Sequence, residues 1–168
     1  MSQVSTTTSS PRRRVAMTWV VWITAVIAYG FAVMQRTSLG VMGLTAAAHF
    51  NAPASVVATF MVLQLAVYAV LQIPAGITVD RLGSRVVITA GSIVMTVGQV
   101  VMALTGSVGG AVLARVLVGC GDAFIFGAAI RLVPAWFPPK QTPLVTQLTG
   151  LLGPVSYTHL TLPTTPYV

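Results

Sequence analysis

Between Val15 and Gln35 the chain carries no charged residue. About 20 apolar residues in a helix suffice to cross a hydrocarbon core of roughly 30 Å, so this run already selects the solvent. It is one of several, because 55% of all residues are hydrophobic and only 7% are charged, against roughly 25% charged in soluble globular domains. The chain therefore reads as an all-α membrane protein.

The apolar runs and the turn residues between them predict a span map. The first span covers about 15–48, continuing past Arg36 until "HFNAP" supplies turn residues. The second covers about 54–79, the third 86–105, the fourth 111–131 after the "GSVGG" turn, and a fifth begins near 144 and is cut short at 153. "PAWFPPKQTP" is a Pro-rich connector with an interfacial Trp136 and Phe137. Residues 1–14 are Ser/Thr-rich, end in three arginines and read as a disordered tail at the membrane surface.

Positive charge sets the orientation. With the amino terminus inside, the inner segments hold Arg12, Arg13, Arg14, Arg81, Arg85, Arg131 and Lys140, and the two outer loops hold none. The chain is expected in the plasma membrane, multi-pass, with a cytoplasmic amino terminus. The net charge of +7 does not point to nucleic acid, since the basic residues sit in small groups rather than along one face. The single cysteine, Cys120, rules out an internal disulfide and reads as a small packing residue. His49 and His159 belong to no metal-spaced cluster, and no nucleophile motif or phosphate loop is present. An enzyme, a metal and a cofactor are not expected.

Residues 155–168, "SYTHLTLPTTPYV" preceded by Val155, have no helical apolar period. The string resembles translated sequencing-adapter DNA, in a frame that also accounts for Pro154. The natural chain is expected to end at Gly153, with 154–168 carrying no functional weight.

Charges inside the spans are the functional signal, because a central arginine in a membrane helix costs about 2.5–3.5 kcal/mol on insertion scales. Arg36 shares a helical stripe with Tyr29 and Gly40. A guanidinium beside a phenol suits an anion; the alternative is an arginine that snorkels to the outer interface. In "RVLVGCGDAFIFG", Arg115, Gly119 and Asp122 fall at i, i+4 and i+7. Gly119, Ala123 and Gly127 make a small-residue ladder on the adjoining edge, permitting close helix packing. Arg115 and Asp122 stand about 10 Å apart along the axis, so each needs another partner. Asp122 is a candidate proton carrier or one half of a static ion pair. Gln64, Tyr68 and Gln72 form a polar stripe on the second span, for packing or for a pathway.

One stretch concentrates charge: "GITVDRLGSR", residues 76–85. Asp80 stands at a helix carboxyl end, where the dipole disfavours an anion, and Arg81, Arg85 or another helix's amino end is expected to compensate it. Gly76 permits a close approach and Gly83 a sharp reversal.

The stretch resembles the loop motif of the major facilitator superfamily: Gly76, Asp80, Arg81, Gly83 and Arg85 match, with Ser84 at the first basic position. "YGFAVMQRTSLGV" and "RVLVGCGD" with "AWFPPKQ" resemble the first helix, the fourth helix and the following connector of the organophosphate and anion/cation symporter branches. The resemblance implies twelve helices in two halves, with inverted three-helix repeats and a site near the midplane. This chain would supply the first four helices and the start of a fifth, a portion that is not competent alone. It also implies, for Arg36 alone, contact with an anionic substrate; from the residues themselves Tyr29 and Arg115 are expected to join that site, Asp122 is the proton-coupling candidate, and Gly76, Asp80, Arg81, Gly83 and Arg85 are the candidate cytoplasmic gate. The expected function is a secondary transporter, monomeric at full length, moving a small anionic solute by alternating access with a proton or counter-solute. A proton-coupled multidrug exporter is the alternative within transport, and a non-transporting membrane sensor or scaffold is the alternative outside it.

Overall fold

The computed structural model describes residues 11–161. Every regular element among them is helical: α1 (Pro11–Val41), α2 (Gly43–His49), α3 (Ala54–Leu82), α4 (Ser84–Leu104), α5 (Val108–Trp136) and α6 (Thr142–Thr161). Among the described residues four stretches are long and apolar enough to cross a membrane: Val15–Ser38, Ser55–Leu82, Ser84–Leu104 and Val108–Trp136. Large apolar side chains such as Val70, Ile73 and Leu104 point outward from the bundle, as a lipid solvent requires.

The helix bounds depart from the sequence map in places with a local cause. Pro11 to Arg14, expected in a disordered tail, already belong to α1; the remainder of that tail lies outside the described residues. The first span does not continue to 48, because α1 stops at Val41 and α2 starts beyond Met42. Gly40 and Gly43 flank that break and have poor helix propensity. Just before it, the Thr37 hydroxyl donates to the Val33 carbonyl at 2.9 Å and the Ser38 hydroxyl to the Gln35 carbonyl at 2.8 Å, bonds that bend helices. A turn through Asn51, at φ 47°, then leads into α3; Asn tolerates this left-handed backbone better than most residues.

At the other end, α5 continues past Arg131 to Trp136 and α6 passes through Pro154 to Thr161. The segment after Gly153, read from sequence as lacking a helical period, is thus helical up to that point; residues 162–168 lie outside the described ones. Adding a residue to a running helix fixes one residue per hydrogen bond gained, so weak local preference need not stop it.

The hub is α5. Over its apolar window 56% of residues are buried, against 17–22% in the other three spanning helices. It meets α4 antiparallel along a glycine-lined seam. A Cβ on Gly121 would lie 2.5 Å from the Gly91 carbonyl oxygen, and one on Gly98 would lie 3.0 Å from the Ala114 carbonyl oxygen. Gly91 and Gly98 are seven residues apart, as are Ala114 and Gly121, so two turns of helix repeat the same backbone contact. Dispersion between closely approaching helices replaces the hydrophobic drive that lipid cannot supply.

On its other side α5 runs parallel to α3, with contacting residues at a near-constant offset of 51, as in Gln64 with Arg115 and Asp80 with Arg131. Gly119 lets the α3 backbone in, since its Cβ would lie 2.7 Å from the Gln64 carbonyl oxygen. Ala123 is buried on the same helix, and a Cβ on Gly127 would lie 4.0 Å from the Ala75 Cβ.

Two devices tie the ends. Gly83 alone separates α3 from α4, with φ at 80°, a backbone conformation open to glycine at little cost. Trp19, Trp22 and Phe137 stack edge to face, and the Trp22 indole donates to the Thr149 hydroxyl at 3.0 Å. That cluster joins the starts of α1 and α6 to the end of α5.

Candidate functional site

Arg115, Asp122 and Arg131 descend α5 at intervals of about 10 and 13 Å along its axis. Each meets a different partner on another helix, and the three contacts form layers through the bundle.

The layer at the α3–α4 turn joins Arg131 to Asp80 in an ion pair whose members are 46% and 60% exposed. Arg131, and neither Arg81 nor Arg85, therefore compensates the carboxylate at the end of α3. The parallel packing of α3 and α5 is the cause, because it sets Arg131 beside Asp80 while Arg81 and Arg85 remain on the exposed turn. Gly76 has a specific use here: a Cβ on it would lie 3.2 Å from Arg131 Nη2, so glycine keeps the guanidinium's path clear.

The middle layer is buried. Arg36 Nη1 lies 3.2 Å from Asp122 Oδ2, with side-chain exposures of 11% and 0%. The Arg36 guanidinium also covers the Tyr68 ring at 5.1 Å from its centroid, a cation–π contact. Tyr68 and Tyr29 both approach Phe126, at 6.4 and 5.2 Å between centroids. Arg36 thus turns into the bundle, where α1, α3 and α5 meet, instead of snorkelling outward. Tyr29, although on the same stripe, is buried against Phe126.

The third layer holds a cation with no anion beside it among the described residues. Arg115, 2% exposed, donates from Nη1 to Gln64 Oε1 at 3.3 Å. Its Nε and the Gln64 Nε2 are buried without a hydrogen-bond partner among the described residues. Arg115 and Asp122 do not pair with each other. Gln72, the last member of the α3 polar stripe, is half-buried and joins none of these contacts.

Sequence reasoning did not find Arg131 as the partner of Asp80, nor Gln99, whose amide donates to the Gln35 carbonyl at 3.4 Å. It also missed the seam of Gly91, Gly98 and Gly121. The seven-residue spacing of the first two was the available signal. Among the described residues no group of His, Cys, Asp and Glu could hold a metal. Cys120 is a half-buried free thiol, and His49 reaches the Thr105 carbonyl at 3.4 Å.

A multi-pass helical bundle whose central helix presents ionised groups to its neighbours at three depths is the architecture of a polytopic membrane protein with a polar interior. The family model of the Major Facilitator Superfamily matches residues 19–158, and the chain belongs to that superfamily of secondary transporters. Neither the curated proteins nor the solved structures contain a match.

Proposed function

We propose that this chain serves a secondary transporter that moves a small anionic solute by alternating access, coupled to a proton or an exchanged anion. The carrying observation is the charge inventory of the buried layers: two guanidiniums, Arg36 and Arg115, against one carboxylate, Asp122, which pairs with Arg36 while Arg115 meets only the neutral Gln64. An uncompensated buried cation is costly, and a carboxylate, phosphate or similar anion would neutralise it through the planar fork of Arg115 or Arg36.

Asp122 gives the reading a coupling step. As a carboxylate it holds Arg36; once protonated it would release that guanidinium to a solute. A ligand drives such a change only by binding one state better than the other, and an anion has that differential affinity for the released guanidinium. The exposed Asp80–Arg131 pair, next to the Gly83 turn, is suited to breaking and re-forming as the gate alternates. In this reading the amino terminus and the 76–85 turn face the cytoplasm across the plasma membrane, and Tyr29 supports Arg36 from the same stripe.

One observation favours the exporter reading as well. Arg36 is already neutralised by its ion pair with Asp122, which is what a purely structural arginine beside a proton carrier would show. Uptake assays with the whole protein in proteoliposomes separate the two. Anion uptake should fall at least tenfold in Arg36→Ala and in Arg115→Gln. Unchanged anion uptake in both, with proton-driven efflux of cationic dyes abolished by Asp122→Asn, would establish the exporter instead.

A further inference from the structure

Among the described residues the Arg115 layer has two buried donors with nothing to hold. We infer, on the proposal that the solute is an anion, that Gln64 is a specificity-determining residue of its site. With Arg115 it takes a singly charged anion that presents a planar pair of acceptor oxygens, a carboxylate or a nitrate-like group.

The orientation of the Gln64 amide follows from its neighbour. An arginine has N–H donors and no acceptor, so the amide must turn its oxygen toward Arg115, and Oε1 accepts from Nη1 at 3.3 Å. That leaves the amide nitrogen to find another partner. Gln64 Nε2 and Arg115 Nε are both buried without one among the described residues, and both are donors. Unmatched donors in an interior are costly. A neutral acid would bring a hydroxyl donor to a place already rich in donors, whereas an ionised acid brings acceptors only, in the planar arrangement that a guanidinium fork matches.

A helix laid against the outside of the bundle does not reach these atoms. Arg115 and Gln64 are each 2% exposed, and Phe60, Ala111, Ala114 and Val118, about one turn away along α3 or α5, are at most 1% exposed. The apolar shell already closes the layer, so the partner enters when the bundle opens, as a solute does in alternating access. Low polarity around the layer strengthens any charge-assisted bond made there.

Charge sets the valence of the solute. Asp122 is matched by Arg36 and stands about 10 Å along the axis from Arg115, so a small anion beside Gln64 faces one cation. A monoanion neutralises it, and a dianion leaves a negative charge buried, which is costly.

The test is thermal unfolding of the purified whole protein in sodium nitrate, sodium formate or sodium sulfate at equal ionic strength. Salts also act through the general surface, so each shift is read as its difference from that of Gln64→Glu, whose own carboxylate answers Arg115. An anion that binds the folded state raises its stability with concentration. Nitrate and formate should raise the wild-type midpoint several degrees beyond the response of Gln64→Glu, with saturation, and sulfate should not. Gln64→Met keeps the side-chain length but loses the amide, and should need roughly tenfold more nitrate for half the effect. Gln64→Glu should itself melt at or above the wild type; a lower midpoint means that the layer does not accept a negative charge and overturns the inference. So does the absence of any excess shift with either monoanion, as expected if water fills the layer. An equal response to sulfate, or a nitrate response unchanged in Gln64→Met, overturns it too. Uptake judges the underlying proposal separately. Loss of anion uptake in Arg115→Gln without these shifts removes only the role given to Gln64, whereas intact uptake in Arg115→Gln removes the anion from this layer altogether.

Discussion

The two flanks of α5 are built on opposite principles. Toward α4 it presents Ala114 and Gly121, and the two backbones come so close that no further atom fits between them. Toward α1 and α3 it presents Arg115, Asp122 and Arg131, each held by a few polar contacts, some of them incomplete. The first flank leaves one arrangement available. The second has alternatives close in energy, because an ion pair can exchange its partner for a proton, an anion or water. A transporter needs both, a fixed strut and a face that can change state.

Breaking the middle layer should have the largest effect. Asp122→Asn strands Arg36 without its carboxylate, and removal of one partner of a buried pair costs about 3–5 kcal/mol. The double variant Arg36→Gln/Asp122→Asn should regain most of that loss in denaturant unfolding of the purified protein. If the double variant is as unstable as the two single losses summed, the pair is not what holds this layer, and the contrast between the flanks weakens.

The seam comes next. Gly121→Val places its branched side chain against the Gly91 carbonyl and against Met95, whose backbone nitrogen would lie 2.9 Å from the first added carbon. Overpacking of this kind costs about 1–3 kcal/mol and occasionally more, visible as lower thermal stability and reduced monodisperse yield. A neutral Gly121→Val would show that α4 and α5 can slide apart, contrary to a fixed strut.

How far these features can be read in the sequence follows the same division. The spans, the Gly83 reversal and the polar stripe on α3 are local patterns, set by composition, period and glycine placement within a few residues. Partner choice is not local. Arg36 and Asp122 are 86 positions apart, and no periodicity within either helix indicates that α1 and α5 cross there. Sequence offers Asp80 only its chain neighbours Arg81 and Arg85 or another helix's amino end, because the 51-residue offset between α3 and α5 that brings Arg131 exists only in three dimensions. The ladder of Gly119, Ala123 and Gly127 was visible as spacing, whereas the tighter contact through Gly91, Gly98 and Gly121 needed two helices to be viewed together. At the break near Met42 the flanking Gly40 and Gly43 are legible in the sequence, whereas the Thr37 and Ser38 hydroxyls turned back on their own helix are a rotamer choice that residue type leaves open.

Two smaller effects sharpen the comparison. Trp22→Phe removes the hydrogen bond to Thr149 but keeps the aromatic cluster, and should cost about 1 kcal/mol. The effect should be additive with Gly121→Val, since the two sites share no residues. Asp80→Asn breaks an exposed pair and should cost about 0–1 kcal/mol, less at high salt. A cost near that of Asp122→Asn would mean that the outer pair is shielded from solvent and that the layers differ less than their exposures indicate.

If the polar α1/α3 flank of α5 lines the transport path and the glycine seam toward α4 is a fixed strut, water reaches the first and not the second. Single cysteines at Tyr68 and Met95, introduced after replacement of every native cysteine, test it with a membrane-impermeant sulfonated thiol reagent on the whole protein in vesicles. Tyr68→Cys should be modified rapidly, with the rate slowed by a transported anion, and Met95→Cys not at all. Equal rates at the two positions, or a Tyr68→Cys that remains unmodified in every condition, would contradict it.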